Sequence, residues 1–144
     1  MELVGNERGS ASIGTLIVLP LVLFFLLIVP DLLRLGAAYF TVQNIAQEGV
    51  SLMEKHGGMN DIVAQDIANW VMSSGLDPEK VSIETHDYNI LFGDPIRLTV
   101  QTEVPLLAFR WLGQSVTVPV KVTKVGISKA IGPLVNVKEG VHEH

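Results

Sequence analysis

NERGSASIGTLIVLPLVLFFLLIVPD, residues 6–31, is the stretch whose reading decides the fold. Between Arg8 and Asp31 it carries no charged side chain. A run of about 20 apolar residues is enough to cross a bilayer as a helix. Three readings compete: a secretory signal that is cut off, a helix that stays in the membrane, and part of a filament core. Ser10, Ser12 and Thr15 fit a buried helix because their hydroxyls can bond back to its own carbonyls. Pro20 and Pro30 remove backbone bonds, but membrane helices accommodate such kinks. A cleavable signal has a shorter apolar core, a basic start and a small-x-small site after the core. Here the core is longer and the start, MELVGNERG, is not basic overall. Asp31 and Arg34 also separate the core from the small cluster Gly36-Ala37-Ala38. A retained helix is therefore expected. Arg8 is the only positive charge before the run, and Glu2 and Glu7 oppose it, so charge sets the orientation weakly. The short N-terminal side is expected in the cytoplasm and the larger part outside.

The helical pattern continues through DLLRLGAAYFTVQNIAQEGVSLMEK, residues 31–55. Leu35, Ala38, Val42, Ile45, Gly49 and Leu52 recur three and four apart, which draws one stripe along a helix. Arg34, Gln43, Gln47, Glu48 and Glu54 lie mostly off it. His56-Gly57-Gly58 supplies a stop, with glycine suited to a left-handed C-cap. One helix from about Ser10 to Lys55 is predicted, roughly 70 Å long at 1.5 Å per residue. Its first half is apolar all round and its second half is amphipathic.

The rest reads as a small α+β unit. Asn60 is placed to cap a second helix, DIVAQDIANWVMSS, with Ile62, Ile67, Trp70 and Val71 as its apolar face and Gly75 as its end. Val81, Ile83 and Thr85 alternate with polar neighbours as a first strand. Ile96, Leu98, Val100, Thr102 and Val104 do so as a second, and Val116, Val118, Val120 and Val122 as a third. Pro119 cannot donate a ladder bond, so the third strand is expected at an edge. The expected fold is α+β: a long N-terminal helix, a second helix and a roughly three-stranded antiparallel sheet with its apolar face on the long helix. The expected divisions are a leader at 1–9, a membrane half at 10–30, an outer domain at 31–125 and a loosely held tail at 126–144.

Composition narrows the function. The 144 residues allow one domain and an appendage, and the net charge is −5. The ten Lys and Arg residues are scattered, so no basic stripe points to nucleic acid. The chain has no cysteine, which removes disulfides, thiolate chemistry and Cys-ligated metals.

RGSASIGTLIVLPLVL, followed by a continuing helix with IAQEGVSL, resembles the N-terminus of TadE-like proteins. These are minor, pilin-like subunits of tight-adherence (Flp, type IVb) pilus systems. GLDPEKVSIET, GDPIRLTVQTEVPLL and a valine-rich final strand extend the resemblance to about Lys124. The resemblance implies cleavage by a dedicated prepilin peptidase between Gly9 and Ser10, on the cytoplasmic side, with the helix retained. Gly9 also reads simply as a flexible entry to the helix. The chain departs from the family at Gly14, where members commonly carry Glu at the fifth position after the cut. That Glu is thought to pair with the N-terminal amine of a neighbouring subunit, since an unpaired charge in a membrane is costly. Its absence argues against a bulk homopolymer and suits a minor subunit. Ser10, Ala11, Gly14 and Thr15 offer close helix–helix approach, or simply ease membrane insertion.

PLLAFRWLG, residues 105–113, is unusually apolar for a strand connection. Leu106, Leu107, Phe109, Arg110, Trp111 and Leu112 read either as a short helical cap on the core or as a contact with a neighbouring subunit or the membrane interface. His86-Asp87 in THDYN has no nucleophile beside it and reads as a strand end or turn. His142-Glu143-His144 lacks a closed ligand set, so no metal is expected. No catalytic residue and no cofactor is expected. The expected role is a membrane-anchored minor pilin. Its partners are the cell membrane, other pilin-like subunits with the pilus assembly platform and, transiently, the peptidase. The alternative is an uncleaved single-pass accessory protein whose outer domain binds a partner in an envelope complex.

Overall fold

The computed structural model describes the backbone of residues 5–131 and the side chains of residues 12–131. The expected α+β architecture is present. Helix α1 spans Gly5–His56 and passes through Pro20 and Pro30. It is followed by α2 (Asp61–Ser73), a 3-10 turn at Pro78–Lys80 and strand β1 (Ser82–Glu84). Strand β2 (Pro95–Leu106), the short helix α3 (Leu107–Trp111) and strand β3 (Val116–Ile127) complete the order. The three strands form one antiparallel sheet in the order β1-β2-β3. Ile83 of β1 stands opposite Val100 of β2. Pro119 therefore lies on an edge strand, as expected for a residue that cannot donate a ladder bond. The chain divides into two compact units, Met1–Ala37 with Val104–Val118, and Ala38–Glu103 with Pro119–His144.

In the second unit, the core is built from α1, α2 and the sheet. Ala38, Val42 and Ile45 of α1 are buried, as the stripe predicts, but Ala46, Val50 and Met53 are buried too. The apolar face is therefore wider than one line, because helix and sheet cover α1 from two sides. Gly49 marks the closest approach. A Cβ there would stand 2.5 Å from Cδ2 of Leu98 on β2 and 3.2 Å from Cδ1 of Ile67 on α2. On α2 the buried residues are Val63, Ile67 and Val71, spaced four apart. Ile62, expected inside, is exposed, and its neighbour Val63 takes the core position. Asn60 caps α2 as predicted, its Oδ1 accepting the Val63 N–H at 2.8 Å. On β2, Ile96, Leu98, Val100, Thr102 and Val104 are all buried, following the period-two reading. Burying each large aliphatic side chain contributes about 1.5–3 kcal/mol.

The stop after α1 is a Schellman turn. Gly57 adopts φ +73°, and the Gly58 N–H donates to the Met53 carbonyl at 2.9 Å. The end of β3 differs from expectation. The strand continues to Ile127 where a tail was predicted from residue 126. Ser128 is fully buried, and its N–H donates to the Asp94 carbonyl at 2.9 Å. Glu54 of α1 fastens the same segment. Its Oε1 accepts the Ile127 N–H at 3.1 Å, its Oε2 accepts Lys129 Nζ at 2.9 Å, and its carbonyl accepts the Lys129 N–H at 2.8 Å. The remainder of the expected tail, 132–144, lies outside the described residues.

Two outcomes follow from this packing. Gly49→Leu should lower unfolding stability by about 1–3 kcal/mol through overpacking. Gly36→Ala, where an added Cβ meets nothing within 4 Å, should raise it by about 0.5–1 kcal/mol. Thermal unfolding of the full chain in detergent reads both. A further outcome concerns pH. The Lys129 hydrogen bond, then the Ile127 N–H, hold the Glu54 carboxyl below its ordinary value of 4.5. A lowered folded pKa contributes stability above the unfolded value and loses it as pH falls through the folded one. The Lys129 side chain is 69% exposed, so the advantage over Glu54→Gln at pH 7 should be at most about 1 kcal/mol. It should shrink progressively in melts taken from pH 5 downward.

Candidate functional site

No described element gathers a catalytic constellation, and the features with functional content are surfaces. The first is the apolar half of α1. It is long and apolar enough to cross a membrane, with a window of hydropathy 2.8 of which none is buried. Leu16, Ile17, Phe25, Leu26 and Leu33 all stand outward. Gly14 opens a shallow notch on this surface, lined by Thr15, Val18, Leu19 and Val22. A Cβ at Gly14 would meet nothing within 4 Å. The side chains of Ser10 and Ala11, expected to share in helix packing, lie outside the described residues. The backbone at Gly9 and Ser10 is helical, because α1 begins at Gly5 rather than at Ser10.

The second surface belongs to the same unit and is the turn between β2 and β3. Residues 107–111 close into α3, in agreement with the short helical cap. Ala108 faces inward and is buried. Leu106 and Phe109 are half-buried. Leu107, Arg110, Trp111 and Leu112 are exposed, with Trp111 at 77%. Trp111 and Leu112 line a groove of about 130 Å³ together with Pro20, Leu23, Phe24 and Leu27 of α1.

Asp31 holds this tip to the helix. It is 4% exposed, and its Oδ2 accepts the Ala108 N–H at 2.7 Å. Leu106, at the N-cap position of α3, offers no side-chain acceptor, so Asp31 caps α3 from another element. Its second oxygen, Oδ1, is buried without a hydrogen-bond partner. In the sequence Asp31 stands only as the end of the apolar run. Its signal was isolation: a single carboxyl following Pro30, with no other acid between Glu7 and Glu48.

Thr85, His86 and Asp87 of THDYN form a cleft wall with Pro95, Arg97 and Thr99. Its polar groups are engaged in shaping the chain. Asp87 Oδ2 accepts the Arg97 N–H, and Thr85 Oγ1 donates to the Arg97 carbonyl at 2.9 Å. These bonds tie the segment after β1 to the start of β2, which is the strand-end role expected for it. His142-Glu143-His144 lies outside the described residues.

Replacing Asp31 tests the tether. Asp31→Ala leaves the buried Ala108 N–H without an acceptor, which costs about 1–3 kcal/mol. Asp31→Asn keeps an acceptor oxygen and should lose less. Hydrogen exchange over residues 105–113 should accelerate strongly in the alanine variant and modestly in the asparagine variant, while α2 stays protected.

Comparison with known protein families, with curated proteins and with solved structures found no match for this chain.

Proposed function

We propose that this chain is a non-catalytic assembly protein, a membrane-anchored minor pilin of the TadE-like kind. The carrying observation is α1, one helix whose outward-facing apolar segment runs without interruption into an amphipathic segment buried among α2 and the sheet. A helix of this kind anchors a small domain and leaves its membrane half free to pack against other helices. Its working partners are the bilayer, other pilin-like subunits and the platform that assembles them, and a prepilin peptidase acts on it once. Nucleic acid is not among them.

Gly14 shapes the role within that class. A major subunit stacks many copies of one helix and benefits from a carboxyl that pairs with each new N-terminal amine. With glycine there, the chain offers a close-packing surface instead of a charge pair. That favours a subunit present in few copies, at the start or tip of a pilus.

A second reading has one observation in its favour. The Gly9–Ser10 bond lies within α1, so a peptidase must first unwind that turn. An uncleaved single-pass accessory protein, binding its partner through the outer domain, needs no such step. Co-expression with a prepilin peptidase separates the two. Mass spectrometry should find a mature N-terminus at Ser10, and Gly9→Leu should block its appearance. An intact chain starting at Met1 in peptidase-positive cells would overturn the processing claim. In sheared pili the mature chain should be a minor component.

A further inference from the structure

The tip between β2 and β3 has three properties that together define its surroundings. Its outward side chains are apolar: Leu107 is 44% exposed, Trp111 77% and Leu112 61%. Several of its backbone N–H groups are paired within the chain. The Ala108 N–H goes to Asp31, the Leu112 and Gln114 N–H groups to the Phe109 carbonyl, and the Gly113 N–H to the Arg110 carbonyl. Its position is beside the apolar run, because Trp111 and Leu112 share a groove with Pro20, Leu23, Phe24 and Leu27.

Depth follows from the helix. The uncharged run from residue 9 to residue 30 measures about 33 Å at 1.5 Å per residue, close to the roughly 30 Å of a hydrocarbon core. Leu27 and Pro20 lie about 5 and 15 Å in from its Pro30 end. Side chains seated against them stand at the level of acyl chains. A loop in water gains nothing by exposing Trp111 and Leu112. A loop in hydrocarbon must expose apolar groups and must leave no backbone group unpaired, since each one costs several kcal/mol there. This tip exposes apolar side chains, and the N–H groups of Ala108, Leu112 and Gly113 are paired within the chain.

We infer that residues 105–113 are a second membrane-inserted element, which dips into the leaflet at the Pro30 end of the apolar run with Leu107, Trp111 and Leu112 among the acyl chains. The inference rests on the reading of α1 as a membrane span. Arg110, exposed on the same turn, extends its guanidinium back to the lipid phosphates while its methylenes stay in the apolar layer. Asp31 supplies an acceptor that the first turn of α3 lacks, so that the Ala108 N–H does not need water. The chain is thereby held at two points: α1 fixes its depth, and the tip restrains rotation of this unit about the α1 axis.

The test uses the full chain in phosphatidylcholine vesicles. In a Trp70→Phe variant, Trp111 is the only tryptophan. Its emission should be blue-shifted, quenched at least twofold by lipids brominated along the acyl chain, and nearly insensitive to aqueous iodide. As a second reporter, a spin label on Leu112→Cys is unique because the chain has no cysteine. It should be relaxed by oxygen more than by a water-soluble nickel chelate. Vesicle flotation after carbonate washing reads α1 separately. A chain that floats while Trp111 is quenched by iodide and not by brominated lipid overturns the insertion and leaves the anchor standing. Shielding from both quenchers that disappears on dilution of protein into lipid shows a second copy covering the tip, and also overturns it. A chain that does not float overturns both.

Discussion

Among the described residues Asp31 is the one buried carboxyl, and it stands where α1 exchanges an outward-facing apolar surface for an amphipathic one. Before it, leucine, valine and phenylalanine stand outward on every side of the helix. After it, Ala38, Val42, Ile45 and Gly49 turn one face to the core. A helix with a single backbone geometry can serve both regimes because 3.6-residue periodicity leaves every face available, and the side chains alone decide which is covered. What the helix cannot do by itself is bind a loop at that level. Asp31 does so through a charge-free donor, the Ala108 N–H, at 2.7 Å. Removing an acceptor from a buried N–H costs more than an average hydrogen bond contributes. The position of the β2–β3 turn against α1 therefore depends on this residue more than on any single apolar contact.

The parts of the fold with a strong local period were legible in the sequence. The period-two alternation over Ile96–Val104 and Val116–Val122 located β2 and β3, and Asn60 and Gly57 marked a helix start and a helix end. The readings that went astray did so where tertiary contacts choose between neighbours. Ile62 and Val63 are equally apolar, and only the position of α2 over α1 decides that Val63 is the buried one. From about Gly126 the alternation fades and a tail is expected. In the structure Gly126 lies in β3, packed so closely on Val50 and the Glu54 carboxylate that a Cβ would have no room. The period of β3 could not announce this, since the strand's last residues are held by Glu54, more than 70 positions away in sequence.

Asp31 was illegible for a related reason. A carboxyl at the end of an apolar run is what a membrane boundary ordinarily shows, and its actual partner, the Ala108 N–H, carries no side-chain signature. The apolar character of residues 105–113 was plain, yet apolarity alone leaves a core cap and an exposed contact equally open. In the structure the segment closes into a short helix with one side buried and the other exposed. Ala108 closes inward on Asp31, while Leu107, Trp111 and Leu112 remain outside.

The two departures from an ordinary membrane helix then fit one account. Glycine stands at position 14, where the family the chain resembles commonly has an acid, and an acid stands at position 31, beside the turn. A carboxyl near the start of a helix is suited to holding the next copy in a stack. A carboxyl at the far end, already engaged with its own chain, holds a turn of the same molecule. On the proposed reading, a carboxyl spent inside its own molecule would leave this helix with no charge to offer a neighbouring copy, and so would be a poor basis for repeating one contact many times.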